Sequence, residues 1–193
     1  MPLTQLLPLI WARLAGAGAP SRAAFGLLQA ATIDPDGAPD VRTVVLREVS
    51  AADHRIRFYS DNRSPKIGAL QRDPRIALVG YDAETRTQLR MKGRATLAPD
   101  AARRQAWETL ADHALIDYQG RVPPGTSIDQ PGDAAPQAHT ADNASAPLGY
   151  AHFCIVDVTL DCVDWLDLSD RNLHARARFE RDGTTWQGGW IAP

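Results

Sequence analysis

The residues best equipped for chemistry lie between positions 41 and 66. Val41-Arg42-Thr43-Val44-Val45-Leu46-Arg47 has strand character, Phe58-Tyr59-Ser60 forms a second such run, and Ser64-Pro65-Lys66 reads as the opening of a helix. In an extended strand Arg42, Val44 and Leu46 face one way and Thr43, Val45 and Arg47 the other, so one strand can bury apolar groups and still present polar ends. The planar fork of Arg42 suits a phosphate through bidentate, charge-assisted hydrogen bonds. By residue type alone it is also a surface arginine in an ion pair. Ser64 suits an N-cap and Pro65 the first helical position. A lysine in the first turn opposes the helix dipole by roughly a few tenths of a kcal/mol unless an anion sits beside it. A bound phosphate removes that conflict, with backbone N–H groups and Lys66 both directed at it. The stretch therefore reads as a phosphate clamp; the plainer alternative for Lys66 is an exposed side chain on a capped surface helix.

The rest of the chain must position this clamp. Its 193 residues are enough for one domain with a real core. A formal charge of −2 leaves no broad electrostatic footprint for nucleic acid, so a cationic site has to be local. The N-terminal apolar segment is broken by Pro8 and Arg13 and lacks the pattern of an export signal or a membrane span, which makes a cytoplasmic address the expectation. Cys154 and Cys162 fall in what reads as one strand, roughly 26 Å apart at about 3.3 Å per residue, too far to pair within it. The five histidines are scattered, so no metal site is expected.

Apolar spacing predicts a helix over Thr4 to Ala15, with Leu7, Ile10, Trp11 and Leu14 on one face. Strands are expected from Gly26 to Ile33, Val41 to Val49 and Arg55 to Ser60, the first two joined by an Asp34-Pro35-Asp36-Gly37 turn. A short helix from Ser64 to Arg72 precedes strands at Arg75 to Tyr81 and Gln88 to Leu97. A longer helix is expected from Pro99 to about Leu115. Gln119 to Gly149, rich in Pro, Gly, Ala, Ser and Asp, has no apolar period and reads as a long loop or flap. Tyr150 to Leu168, Leu173 to Arg181 and Thr185 to Ile191 complete the strands. Antiparallel strands without alternating crossover helices indicate a barrel or sandwich with peripheral helices. Asn143-Ala144-Ser145 matches a glycosylation acceptor and Asp112-His113 an acid–base pair; neither is assigned a role.

The collinear order Ala31-Thr32-Ile33, Gly37-Ala38-Pro39, Arg42 to Arg47, Phe58-Tyr59-Ser60, Ser64-Pro65-Lys66, Asp73-Pro74-Arg75, Gln88, Gly93-Arg94-Ala95 and Leu173-His174-Ala175-Arg176 resembles the pyridoxamine 5'-phosphate oxidase family of flavin-binding split barrels. The resemblance spans residues 30 to 97 closely and 160 to 193 more loosely. It implies a mainly β fold, an antiparallel six-stranded split barrel with peripheral helices, in which residues 1–193 form one FMN-binding domain. It also implies a homodimer, with FMN between subunits and a small-molecule substrate that gives up a hydride.

On that resemblance the FMN-binding residues are Arg42, Thr43, Val44, Val45, Leu46, Arg47, Tyr59, Ser60, Ser64, Lys66, Gln88, Trp165 and Arg176, and His174 and Arg176 act on the substrate. Gln88 would meet the edge of the flavin ring, where an amide both donates and accepts. Trp165 would lie near the flavin, although on its own it is equally a core aromatic.

The chain departs from the family pattern at the substrate end. The Arg-Leu-His-Asp-Arg motif of the oxidase is here Asn172-Leu173-His174-Ala175-Arg176, so the substrate-holding arginine is absent at 172, and Arg171 stands one residue earlier. Pro65 occupies a position that is basic in the oxidase, Arg47 stands for a lysine, and Trp190 for an arginine. Tyr118 and Arg121 are the candidates for the substrate-phosphate cluster. A Trp165-Leu166-Asp167-Leu168 segment resembles the oxidase-related subgroup. The leading expectation is an FMN-dependent oxidoreductase of unnamed substrate. A flavin carrier or sensor without turnover is the second reading, and a haem-handling split barrel the third.

Overall fold

The computed structural model describes residues 1–16, 24–136 and 147–193; Asn143-Ala144-Ser145 and part of the expected flap lie outside them. Eight strands form one antiparallel sheet: β1 (Leu27–Ile33), β2 (Pro39–Ser50), β3 (Arg55–Asp61), β4 (Arg75–Asp82), β5 (Thr87–Leu97), β6 (Phe153–Asp167), β7 (Ala175–Asp182) and β8 (Thr185–Trp190). The order is β3-β2-β1-β4-β5-β6-β7-β8, and an additional β3–β6 pairing closes the first six into a barrel. The six-stranded barrel is as expected. The β7–β8 hairpin extends the wall from β6 outside the closed ring.

Period-two alternation decides which residues line the barrel. Along β5, Leu89, Met91, Gly93 and Ala95 are buried and Arg90, Lys92 and Arg94 exposed. Long, branched and aromatic residues fill the interior, including Leu28, Val44, Leu46, Phe58, Leu78, Val156, Val158 and Phe179. Helix α1 (Leu3–Gly16) sends Leu6, Ile10, Trp11 and Leu14 into the same core. The expected apolar face differs only in that Leu7 packs at the margin while Leu6 is fully buried. Helix α2 (Pro65–Arg72) contributes Ile67 and Leu70.

Turn chemistry sets the register. Asp34 Oδ1 accepts from the N–H groups of Asp36 and Ala38 at 2.9 and 2.8 Å, and Gly37 takes the left-handed conformation at φ +88°. That closes the β1–β2 hairpin and pairs Ala30 with Arg42. At the β5–β6 register break beside Gly93, a Cβ would stand 2.2 Å from the Thr159 carbonyl oxygen, so only glycine fits.

Helical expectations were longer than the helices. The segment from Pro99 divides into α3 (Asp100–Glu108) and α4 (Asp112–Leu115), because Thr109 Oγ1 and its N–H both turn back to the Ala106 carbonyl. The last strand of the barrel begins at Phe153 rather than Tyr150, whose residues belong to α5 (Pro147–His152). Strand β7 begins at Ala175, leaving Leu173 and His174 in the connecting hairpin. A satellite cluster of Ala106, Tyr118, Phe153 and Ile155, flanked by Tyr59 and Trp107, forms on the outer face of the barrel.

Candidate functional site

Arg42 lies on the inward-facing side of β2 with Val44 and Leu46, at the strand end where the barrel opens. Its guanidinium donates to Thr32 Oγ1 at 2.8 Å and to the Ala30 carbonyl at 3.2 Å, and pairs with Asp40. The same alternation on β3 turns Ser60 inward with Ile56 and Phe58 and turns Tyr59 outward with Arg57. Ser64 takes extended backbone angles at the start of α2, yet its hydroxyl makes no cap bond. It accepts from Lys66 Nζ at 2.7 Å, and Ser60 Oγ accepts from the same ammonium at 3.0 Å. Ser60, Ser64 and Lys66 thus converge at one end of the barrel, with the charge of Arg42 near enough to act on Lys66.

The electrostatics of this cradle are unusual. Lys66 enters none of the ion pairs among the described residues. Burial, and after it the charge of Arg42, push its ammonium below the ordinary lysine range. The nearby carboxylates are engaged elsewhere, Asp61 by Arg63 and Asp40 by Arg42. Two cations on hydroxyl and carbonyl partners, with one exposed carboxylate between them, leave a local excess of positive charge directed at the barrel mouth. A phosphate supplies the anion that Lys66 lacks.

A second group occupies the outer face. Gln88 is half-buried on β5, in register with Tyr81 on β4 and Leu166 on β6, and Leu166 is in turn opposite Arg176 on β7. Arg176 donates to Asp164 through Nε and NH2, both at 2.9 Å, and Arg178 reaches the same carboxylate at 3.1 Å. Asp164 is 4% exposed. Burial raises its pKa, and the two arginines more than reverse that, holding the carboxyl below the usual carboxylate range. Arg90 sits opposite Asp164 on the other side, which leaves the row net positive.

Several expected residues do not join either group. Trp165 is opposite Leu89 and Ala177 and faces the core, on the other side of the sheet from Gln88 and Arg176; its ring packs edge-on to Trp190 at 6.4 Å. Tyr59 points away from Ser60 and stacks edge-on against Phe153 at 5.1 Å, with Arg47 Cζ 5.7 Å from its ring centre. Val44 and Leu46 are core residues, while Thr43 is exposed and Val45 half-buried on the outer face. A register shift between Leu46 and Glu48 places Arg47 at a bulge and takes it off the simple alternation. His174 is exposed in the β6–β7 hairpin, with Asn172 held by Asp170 Oδ1 at 2.8 Å. Tyr118 is buried in the satellite cluster, and Arg121 is exposed.

The family profile for the FMN-binding domain of pyridoxamine 5'-phosphate oxidase matches residues 11–99, the stretch that contains the cradle. A solved structure from Nostoc punctiforme, a pyridoxamine 5'-phosphate oxidase-related FMN-binding protein, superposes over 100% of both chains with 27% identity and a TM-score of 0.78. The profile covers just under half of this chain, which is similar in sequence to that FMN-binding family and shares its split-barrel fold. Among its curated relatives are a dihydrophenazinedicarboxylate synthase from Pseudomonas chlororaphis, 27% identical over 86% of this chain and 74% of its own. A pyridoxine/pyridoxamine 5'-phosphate oxidase from Thermosynechococcus vestitus is 27% identical over 81% and 74%. The PhzG structure from Burkholderia lata, 18% identical with a TM-score of 0.72 over 98% of this chain and 92% of its own, shares the fold.

FMN is accordingly the cofactor, and the donors of the cradle suit a phosphate. The ammonium of Lys66 is already desolvated and bound only to hydroxyls, so a phosphate completes it at little further desolvation cost. Sequence reasoning missed Thr32, which fixes Arg42, and Asp164, which fixes Arg176. The signal for Thr32 was its place in the Ala31-Thr32-Ile33 motif. Asp164 carried none, because its partners become neighbours only when β6 and β7 pair.

Proposed function

We propose that this protein is a homodimeric FMN-dependent oxidoreductase acting on a small anionic substrate. The observation that carries the reading is the split of polar and cationic groups between two faces of one barrel wall. Arg42 and Lys66 face the barrel mouth, and Gln88 and Arg176 face outward on β5 and β7. One protomer does not present both groups to one flavin from the same side. A two-fold partner laid on the outer face of β2, β1, β4 and β5 would do so. That face exposes Val41, Leu27 and Tyr81 at 59%, 44% and 50%, an apolar surface suited to a second copy.

The chemistry that FMN supplies when bound is acceptance of a hydride from the substrate, followed by reoxidation by oxygen or another acceptor. Arg42, Ser60, Ser64 and Lys66 hold the phosphate, and Gln88 offers donor and acceptor to the ring edge. Arg176 and His174 orient the substrate, with Asp164 fixing the plane of the Arg176 guanidinium. The net positive row at Arg90, Arg176 and Arg178 suits an anion, and the names of two relatives specify a phosphate ester and a dicarboxylate as their compounds. The whole chain serves as one FMN-binding unit, and its free cysteines suit the reducing cytoplasm.

A flavin fluorescence titration tests the cofactor site, and sedimentation across a concentration series tests the dimer. Unquenched FMN fluorescence at saturating protein, or a monomer with full flavin, would sink the reading. A flavin carrier without turnover is favoured by one feature, the occupation of Arg176 by Asp164. Stopped-flow reduction by NADH, NADPH or a substrate supports the enzyme; a bound flavin that none of them reduces supports the carrier.

A further inference from the structure

The turn that carries the cradle is anchored from outside the barrel by a segment that has no part in the phosphate site. Between Ser60 and Lys66 the chain reverses through Asp61, Asn62 and Arg63. Asp61 Oδ1 accepts from the Arg63 N–H at 2.8 Å, and the Ser64 N–H donates to the Asp61 carbonyl at 3.1 Å. The Arg63 guanidinium closes on the same carboxylate through Nε at 3.0 Å and NH2 at 2.6 Å, and its remaining arm, NH1, donates to the Gly120 carbonyl at 3.0 Å. Asp61 is 8% exposed, so the pair is held largely away from water.

Further contacts bind the same region. The Asn62 N–H and Nδ2 donate to the carbonyls of His152 and Ala151, both at 2.7 Å, and His152 Nδ1–H donates to the Tyr118 carbonyl at 3.0 Å. Gly125, at φ +88°, faces Pro65, with the position of a Cβ 3.5 Å from Pro65 Cγ. The chain from Gln119 to Thr126 is thereby tied to the turn at Arg63 and passes beside Pro65. The apolar ring of Pro65, where the oxidase pattern has a basic residue, gives this segment a surface to rest on.

We propose that residues 119–126 act as a strap that locks the phosphate cradle, with Arg63 as its positioning residue. The inference rests on the assignment of the FMN phosphate to Ser60, Ser64 and Lys66. The Arg63 guanidinium is engaged by Asp61 and Gly120, and so ties the strap to the turn that sets the spacing of those three side chains. Coupling between two sites is reciprocal. A docked strap slows FMN release, and bound FMN holds the strap down.

Arg121 is exposed within the strap and offers a tryptic site. In the intact protein, saturating FMN should slow cleavage at Arg121–Val122, followed by mass spectrometry of the fragments. Arg63→Gln, which removes the bond to the Gly120 carbonyl together with the pair to Asp61, should raise the FMN dissociation rate at least about tenfold, the scale of one charge-assisted hydrogen bond, and abolish the FMN-dependent protection. Gly125→Ala, which strains the strap at a positive φ without touching the cradle, should reproduce both effects, with the far-ultraviolet circular dichroism of each variant unchanged. Cleavage at Arg121 that is indifferent to FMN, or wild-type dissociation rates in both variants, overturns the proposal. Lys66→Met separates this from failure of the site itself: it must weaken FMN binding while leaving the cleavage rate of the flavin-free protein unaltered. If Lys66→Met keeps full affinity, the cradle assignment falls and the strap proposal with it.

Discussion

Replacing Lys66 by Met should move two properties in opposite directions. In the flavin-free protein the ammonium is desolvated, sits near the charge of Arg42 and has only the hydroxyls of Ser60 and Ser64 as partners. Met keeps the length of the stem and removes the charge. Two hydrogen bonds from a charged donor, roughly 1.5 kcal/mol each, are lost. The desolvation of a half-buried cation beside Arg42, of comparable or larger size, is relieved. The melting temperature of the flavin-free variant should therefore hold or rise by up to about 4 °C, since about 1 kcal/mol moves a chain of this size by roughly 2–4 °C. FMN binding should weaken, because one charge-assisted bond to phosphate is worth roughly 1.5–3 kcal/mol, about 10- to 150-fold in Kd.

The pH dependence supplies an independent check. An unfolded lysine titrates near 10.5, and the folded value lies lower. Between the two the unfolded state binds more protons, so the stability of the flavin-free protein should rise as pH climbs through that window. Below the folded value the penalty is complete and constant. The Met variant should lose this slope, and FMN should flatten it in the wild type by restoring the charged form. Calorimetry from pH 7 to 10 measures the slope, and fluorescence titration the affinity. A Met variant that melts well below wild type while binding FMN normally would refute the account.

Three further outcomes are expected. Gln88→Leu should shift the absorbance bands of bound flavin with little change in stability, whereas Trp165→Phe, on the opposite face, should lower stability by about 1–2 kcal/mol in urea and leave the spectrum alone; a spectral shift from Trp165→Phe alone would reverse the placement of the two. Asp164→Asn should free Arg176 and Arg178 and lower stability at neutral pH. The contribution of Asp164 is complete above the ordinary carboxylate value of 3.8 and lost as pH falls through its lower folded value. Wild type and variant should therefore converge in acid, and a constant gap would contradict the pairing. Gly93→Ala drives a Cβ into the Thr159 carbonyl at 2.2 Å and should cost several kcal/mol, on the order of 3, read as a lowered urea midpoint; an unchanged midpoint would show that the strands can part there.

The barrel was legible because alternation is a local property. Leu89, Met91 and Ala95 against Arg90, Lys92 and Arg94 define a wall from the sequence of β5 alone, and Asp34 with Gly37 specifies its hairpin. The cradle was legible for the same reason, since Arg42, Ser60, Ser64 and Lys66 sit at set positions on a strand, a strand end and a helix start. Trp165 could not be placed on a face so simply. A register break beside Gly93 resets the alternation of β6 before it reaches Trp165, and such a bulge has no fixed residue signature. Tyr59 next to Ser60 illustrates a smaller point: neighbours in a strand face opposite ways, so a two-residue motif contributes only one side chain to the cradle.

The two ends of the site differ in what constrains them. At the proposed phosphate end, regular structure holds Arg42, Ser60, Ser64 and Lys66 in place, and loss of either hydroxyl leaves the half-buried Lys66 ammonium short of a partner. At the substrate end, Arg176 and Arg178 are held by Asp164, and His174 and Asn172 lie in an exposed hairpin. An incoming anion there gains only what the arginines have left after Asp164, so selection becomes a competition between a fixed buried carboxylate and the substrate. A substitution at Asp164 or in residues 168–174 changes the outcome of that competition without disturbing Lys66 or Ser64. On the proposed assignment the chain would keep its flavin while its substrate diverges, which would account physically for the cradle standing beside an altered Asn172-Leu173-His174-Ala175-Arg176 motif.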